Sequence, residues 1–148
     1  MKKMMALIIL LARRPTAAQF RELSDHPRKG PIQMINLLKF RDRAQYNDGE
    51  VENSDVSGRE AYGRYGKLVG EIVAGLGGCV IWSGTPEVVA VGDDGDLWDE
   101  VAIVEYPSRE AFVAMLSMPE YRAAHVHREA GLDHQKLIEC RPGGDAFS

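Results

Sequence analysis

The sequence predicts one α+β domain in which two helices cover an antiparallel sheet of four strands, in the order βαββαβ. Two strand-like segments are apolar on both faces, two helical segments begin at capping boxes, and the two kinds of segment alternate in the order that this arrangement requires. A chain of 148 residues that is 45% apolar suits a single domain with a sizeable core.

The first strand is predicted from Pro31 to Phe40, PIQMINLLKF. Met34, Asn36 and Leu38 fall on one of its faces and Ile35 on the other, because side chains alternate along a strand. Both faces are mostly apolar, so we expect a layer on each side. Asn36 is the exception, since a buried carboxamide without partners costs about 1 to 3 kcal/mol.

A short helix capped by Thr16 is predicted before this strand, from Ala17 to about Ser24. The apolar run from Met4 to Ala12 precedes it and resembles a weak signal peptide. Arg13 closes that run well short of the roughly 20 residues that a membrane span needs. We expect the run to dock on the domain or on its partner.

A polar loop is predicted from Arg41 to Asp55, as a lid or a mobile excursion. Ser57 and Glu60 form a capping box that opens the next helix. The helix carries an amphipathic stripe of Tyr62, Tyr65, Val69, Ile72 and Leu76. Its interior glycines predict either close packing or a weak helix; they are Gly63, Gly66 and Gly70.

The second half predicts a strand from Cys79 to Val91 with a bend at Gly84 to Pro86, and a hairpin turn at residues 93–96. A third strand from Trp98 to Tyr106 is again apolar on both faces. A helix capped by Ser108 follows and runs through Leu116.

The last helix is predicted to break near Ser117, where a second capping box runs from Ser117 to Glu120. It continues to Ala130, with Gly131 as its C-terminal cap. A final strand is predicted from Asp133 to Cys140.

This order is the ferredoxin-like one, in which the first and third strands lie in the middle of the sheet. We divide the chain into an N-terminal segment and short helix (1–30), the α+β domain (31–140) and a loose tail (141–148). Two helices cover only one side of the sheet, so we expect a homodimer that packs sheet against sheet.

Charge and cysteine content exclude several classes. A formal net charge of −4 and a pI near 5.6 argue against nucleic acid or an anionic membrane as partner. Cys79 and Cys140 cannot form a disulfide framework, and a reducing cytoplasm is expected. The strand order places these cysteines at opposite edges of the sheet, about 14 Å apart, too far for a disulfide.

Three stretches of the sequence stand out: PIQMINLLKFRDRAQY, SGREAYGRYG and YRAAHVHREAGLDHQKLIEC. Together they resemble a bacterial family of unknown function in the dimeric α/β-barrel superfamily. The resemblance covers Thr16 to Cys140, and its most specific parts are the NLLKFR run that begins at Asn36 and the pair His127-Arg128. It implies the fold and a dimer. Related branches include cofactor-free monooxygenases of antibiotic biosynthesis, haem-degrading monooxygenases and muconolactone isomerase.

The candidate site combines the last helix with the first strand. Tyr121, His125 and Arg128 share one side of that helix, which would face Asn36 if it packs on the sheet. We predict Asn36, His125 and Arg128 as catalytic candidates: a donor to a carbonyl oxygen, an acid or base, and a carboxylate ligand. Ligand-binding candidates are Tyr62, Tyr65, Trp98, Tyr121 and His127. The alternative is an exposed helix face beside ordinary core tyrosines.

We expect no metal and no cofactor. His125 and His127 lie two apart on a helix and point about 200 degrees apart, so they cannot share an ion.

The function predicted is a small enzyme that acts on an enolisable or aromatic acid, by proton transfer or cofactor-free oxygenation. A non-catalytic homodimeric ligand-binding protein is the alternative. A haem-degrading monooxygenase is third, and would need an Asn, a Trp and a His converging on one pocket.

Overall fold

The computed structural model describes residues 14–147, so the apolar run from Met4 to Ala12 and its expected docking lie outside the described part. The strands are β1 (Ile32–Phe40), β2 (Cys79–Gly84), β3 (Glu100–Tyr106) and β4 (Leu132–Cys140). The described helices are α1 (Ala17–Asp25), α2 (Gly58–Gly75), α3 (Arg109–Met115) and α4 (Pro119–Gly131). A 3-10 turn spans Asp94–Asp96.

The sheet confirms the predicted topology. Its strand order is β2-β3-β1-β4 with antiparallel neighbours, which is the ferredoxin-like order with β1 and β3 in the middle. One row across the sheet joins Cys79 to Glu105, Glu105 to Gln33, and Gln33 to Cys140. The two cysteines are therefore three strand spacings apart, about 14 Å, and both are free thiols.

One face of the sheet, called the helix face here, carries the core. Ile32, Met34 and Leu38 of β1 are all at most 2% exposed and point toward the helices. The helices contribute buried residues to the same core, among them Val73, Phe112 and Met115. Burying each such side chain contributes about 1.5 to 3 kcal/mol, so this face holds the domain together.

The opposite face, called the open face here, is apolar but uncovered by the described residues. Its central row is Trp82, Ile103, Ile35 and Ile138, one residue from each strand. Trp82 is 54% exposed and Ile138 is 47% exposed. The pattern predicted for β1 and β3 is thus present, and only one of the two apolar faces has a covering layer within this part of the chain.

Two glycines allow the start of α2 to meet the end of α4. A Cβ at Gly58 would lie 2.1 Å from the carbonyl oxygen of Arg41, and one at Gly131 would lie 2.3 Å from the carbonyl oxygen of Gly58. Gly131 therefore serves close packing instead of capping the helix, and α4 passes directly into β4 at Leu132.

The interior glycines of α2 do not mark close packing. A Cβ at any of them would meet nothing within 4 Å among the residues described; they are Gly63, Gly66 and Gly70. Each lowers the helix propensity by about 1 kcal/mol relative to Ala. Of the two explanations offered by the sequence, the weak helix is the one that fits.

Two predicted boundaries are wrong. β2 ends at Gly84 and not at Val91, because Gly84 already pairs with Val101, one residue from the start of β3. Val88 and Val91 follow without a partner strand and are 81% and 97% exposed. The last helix does break as predicted, but its N-cap is Met118, which makes no side-chain capping bond.

A buried ion pair fixes the segment that leads into β1. Arg109 is 3% exposed, and its guanidinium donates to both carboxylate oxygens of Glu139 at 2.7 and 2.6 Å. It also donates to the carbonyl oxygen of Arg28 at 2.7 Å. Removing one partner of such a pair costs about 3 to 5 kcal/mol, so this contact positions β1 against α3 and β4.

Candidate functional site

A large cavity of about 1320 Å³ lies between the helices and the helix face of the sheet. Its floor is formed by Met34, Asn36 and Leu38 of β1, beside Ala102 and Val104 of β3. Typical small-molecule sites enclose about 300 to 1,000 Å³, so this cavity is large enough for a ligand with several rings or for a smaller ligand with water.

Asn36 lies in the middle of that floor. Its amide nitrogen donates to the carbonyl oxygen of Met34 at 3.2 Å and, more weakly, to that of Ala102 at 3.5 Å. Its amide oxygen receives no hydrogen bond from residues 14–147 and is not sealed from solvent, so it faces the cavity. Asn36 thus offers an acceptor to a ligand, whereas the sequence led us to expect a donor.

Three tyrosines form one wall. The ring centroids of Tyr62 and Tyr65 on α2 are 5.1 Å apart, and the hydroxyl of Tyr65 lies 3.1 Å from that of Tyr121 on α4. Burial raises the pKa of Tyr62 and of Tyr65 above the ordinary tyrosine value. Both hydroxyls therefore stay protonated at neutral pH, and this wall supplies aromatic surface with hydroxyl groups that can donate.

A charged cluster on α4 completes the lining. Arg128 is buried, and its Nη1 lies 3.4 Å from Nε2 of His125 and 3.3 Å from Oε1 of Glu129. Nε2 of His125 is also 3.6 Å from that carboxylate. The positive charge of Arg128 lowers the pKa of Tyr62, although burial has the larger effect and raises it. The cavity thus has an apolar body with a cationic group and an imidazole at one side.

Five candidates from α2 and α4 line this one cavity together with Asn36 of β1; they are Tyr62, Tyr65, Tyr121, His125 and Arg128. Two predicted candidates do not. Trp98 is buried before β3, where its ring packs against His134 at a centroid distance of 5.2 Å. His127 points to the other side of α4, because it lies two residues after His125.

His127 holds the loop of residues 41–55 in place. Its Nδ1 lies 2.6 Å from the hydroxyl of Tyr46, which also accepts a hydrogen bond from Arg64 at 3.3 Å. Arg64 donates in addition to the carbonyl oxygen of Asn53 at 2.9 Å. Burial, followed by the nearby charge of Arg64, lowers the pKa of His127. The loop is therefore fastened to α2 and α4, and it does not line the large cavity.

Several polar residues at this cavity were not predicted from the sequence. Arg122 lies three residues before His125 on α4, so the helical spacing could have revealed it. Ser83 and Glu100 join the floor because their strands pair with the register observed, and the sequence alone does not fix that register.

Neither a metal centre nor a membrane span is found in the described part of the chain. Among residues 14–147, no group of three or more His, Cys, Asp or Glu side chains is placed to hold an ion. No helix within the same range is long and apolar enough to cross a membrane.

Comparison with known proteins identifies a family without an assigned activity. Residues 51–138 match the domain of unknown function DUF1330. Two crystal structures of the RPA0582 protein, of unknown function, from Rhodopseudomonas palustris are similar over most of the chain. The methylated form is 40% identical, covers 90% of this chain and 96% of its own, and has a TM-score of 0.81. The other is 39% identical, covers 89% and 97%, and has a TM-score of 0.80.

A more distant structure is a dimeric protein of unknown function and ferredoxin-like fold from Bacteroides fragilis. It is 13% identical, covers 74% of this chain and 94% of its own, and has a TM-score of 0.45, which is too low to support an argument. A search of curated proteins gives no match.

Proposed function

We propose that this chain, which belongs to the DUF1330 family, binds a small organic acid with a flat apolar body in the cavity between its helices and its sheet. The observation that carries the proposal is the convergence of an unsatisfied amide oxygen on Asn36, tyrosine hydroxyls and the buried Arg128 on one cavity. Apolar cavities with a few convergent polar groups are the usual form of small-molecule sites.

The chemical groups that line the cavity narrow the class of ligand it can bind. The guanidinium of Arg128 suits a carboxylate, with which it makes charge-assisted hydrogen bonds. The amide oxygen of Asn36 accepts from an enol, phenol or hydroxyl group of the ligand. Tyr62 and Tyr65 offer aromatic surface between these two ends. An aromatic or enolisable acid with a hydroxyl group fits all three.

His125 adds a catalytic candidate to the binding site. Its imidazole lies beside the carboxylate of Glu129 and the guanidinium of Arg128, on the wall that faces the ligand. An imidazole in this position can accept a proton from an activated carbon and return it. We propose proton transfer on an enolisable acid as the first reaction to test. Cofactor-free oxygenation and a binding role without catalysis are the alternatives.

Haem breakdown has no support from the site. The third of the predicted functions needs a Trp beside the Asn and the His, and Trp98 packs on His134 instead of lining the cavity.

Binding is tested by calorimetric titration of the protein with a panel of aromatic acids and keto acids. We expect at least one of them to bind, and Arg128→Gln to weaken that acid about tenfold or more, because a charge-assisted contact is lost. Arg21→Gln, an equal change of charge on the exposed face of α1, is the matched control and should leave the affinity unchanged. If no acid binds, or if both variants behave alike, the proposal is wrong.

Catalysis is tested separately by following exchange of the α-hydrogen of the bound acid for deuterium with NMR. Exchange that is lost in His125→Gln, while binding is kept, supports proton transfer. Binding without exchange supports the non-catalytic role.

A second copy of the chain is proposed as the layer on the open face. The support is the apolar row Trp82, Ile103, Ile35 and Ile138, whose outer members Trp82 and Ile138 are exposed and whose inner members are half-buried. A single copy therefore leaves large apolar side chains of this face in water. Packing two such faces together gives a dimeric α/β barrel in which each sheet has a layer on both sides.

A cytoplasmic location and the division of the chain into residues 1–30, 31–140 and 141–148 stay predictions.

A further inference from the structure

A second, smaller cavity of about 380 Å³ lies on the outer side of α4, between that helix and the loop of residues 41–55. We call it the outer cavity. It is lined by Arg14, Arg41, Gln45, Asn47, Glu50, Arg122, His125, Val126, Glu129 and Ala130. We call the large cavity between the helices and the helix face the inner cavity. The two cavities share a wall, because both are lined by Arg14, Arg122 and His125. Neither the family match nor the proposed function assigns a role to the outer cavity.

Arg41 is the last residue of the NLLKFR run, and its backbone is fixed on both sides. Its amide nitrogen donates to the carbonyl oxygen of Gly131 at 2.9 Å, and its own carbonyl oxygen accepts from the amide of Gly58 at 3.1 Å. Any larger residue at Gly58 would collide with this backbone. The guanidinium of Arg41 is thus carried by a rigid junction, which is the preorganisation that a binding group needs.

The hydrogen-bonding groups of the outer cavity that lack partners are on arginine side chains. Nη1 of Arg41 donates to Gln45 at 2.8 Å, but its Nε is buried and has no hydrogen-bond partner within residues 14–147. Arg122 is exposed, and its guanidinium has no partner among the residues described. The unpaired Nε of Arg41 costs about 1 to 3 kcal/mol, because a buried donor that finds no acceptor is not compensated. Nη2 of Arg41 also has no partner within residues 14–147, but it is not sealed from solvent. The donors that an anion in this cavity can reach are therefore Nη2 of Arg41 and the guanidinium of Arg122.

The acidic groups of the outer cavity are already engaged. Glu129 contacts Arg14 at 3.4 Å and Arg128 at 3.3 Å. Glu50 accepts from the side-chain amide of Asn47 at 3.2 Å. Both carboxylates therefore already interact with hydrogen-bond donors. The unpaired N–H donors of Arg41 and Arg122 stay available to bind an anion.

We infer that the outer cavity is an oxyanion-binding site, in which Arg41 and Arg122 hold a carboxylate or a phosphate. Planar guanidinium groups bind such anions through paired hydrogen bonds. The site lies beside the large cavity of the proposed function and does not depend on that function, although Arg14, Arg122 and His125 line both cavities.

The site is tested on the full chain by NMR, with the Nε–H signal of Arg41 observed during titration with inorganic phosphate and, in a second series, with acetate, both at an ionic strength of about 0.1 M. We expect the signal to shift and saturate, and the series that saturates at lower concentration tells which oxyanion is preferred. Arg122→Gln should weaken binding about tenfold, because one charge-assisted contact is lost. Arg41→Lys, which keeps the charge but loses the paired donors, should weaken it to a similar degree.

Two controls separate this site from general charge and from the inner cavity. Arg21→Gln removes the same charge from α1 and should change the affinity less than twofold. The reason is that interactions between exposed charges are largely screened beyond the Debye length, which is about 10 Å. Asn36→Leu alters only the inner cavity and should leave phosphate binding unchanged. A shift that does not saturate, or an equal loss in Arg21→Gln, would overturn the inference. Binding of phosphate in a protein that binds no organic acid would reject the proposed function alone.

Discussion

Replacing Asn36 by leucine tests the site at its centre. Leucine has nearly the shape of asparagine but neither accepts nor donates, so it removes the amide oxygen that faces the cavity and little else. The bonds lost are those to the carbonyl oxygens of Met34 and Ala102, at 3.2 and 3.5 Å. Met34 and Ala102 lie in strands that pair with each other, so their carbonyl groups remain part of the hydrogen-bonded sheet when the amide is removed.

The expected change in stability is small. A typical internal hydrogen bond contributes about 0.5 to 1.5 kcal/mol net, and two bonds near the upper distance limit lie at the low end of that range. The leucine regains part of this by burying apolar surface among Met34 and Leu38. We expect the free energy of unfolding to change by no more than about 1 kcal/mol, or Tm by about 5 °C.

Thermal melts followed by circular dichroism measure the stability, and calorimetry with the organic acid measures the binding. Gln33→Leu is the matched control, because it makes the same change on the same strand but on the open face, where Gln33 donates to Glu105 at 3.1 Å. We expect Asn36→Leu to lose ligand affinity and Gln33→Leu to keep it. A loss of stability above about 2 kcal/mol for Asn36→Leu would mean that the amide is structural and that the reasoning fails.

Three further predictions follow from other parts of the molecule. Light scattering should give twice the 16.4 kDa of one chain at micromolar concentration, and Ile103→Lys should shift the protein toward monomer; a folded parent monomer would contradict the dimer. Titration of the denatured, unreduced protein should find two free thiols, from Cys79 and Cys140, and finding none would contradict the strand order. Because the pKa of His127 is lowered in the folded state, protonation opposes folding. Stability should fall as pH drops below about 6.5, and less so in His127→Gln; equal pH profiles would refute this.

The sequence predicted the parts of the fold that repeat with a period. The alternation along β1 placed Asn36 on the same face as Met34 and Leu38, and the helical spacing placed His125 with Arg128. These two patterns meet in space as expected, because the βαββαβ order leaves few ways to pack the last helix. The general position of the inner cavity could therefore be predicted.

Orientation and non-local pairing could not be predicted. The direction of the Asn36 amide depends on which carbonyl groups the third strand brings near it, and that depends on a register that no local pattern fixes. The positions of Trp98 and His127 away from the inner cavity could not be predicted for the same reason, since their partners His134 and Tyr46 lie 36 and 81 residues away in the chain. The outer cavity was not predicted, because its loop is fastened by side chains with no periodic spacing.

Strand β1 places the cavity floor and the open face one residue apart. Asn36 faces the inner cavity, while Ile35 and Leu37 lie on the open face, which we propose packs on a second copy. A ligand that displaces the backbone of β1 therefore also displaces the surface on which the copies meet. Thermodynamic linkage then requires reciprocity: if binding tightens association by some factor, association tightens binding by the same factor. The apparent affinity for the acid would then depend on protein concentration, and titrations at nanomolar and micromolar chain would give different constants.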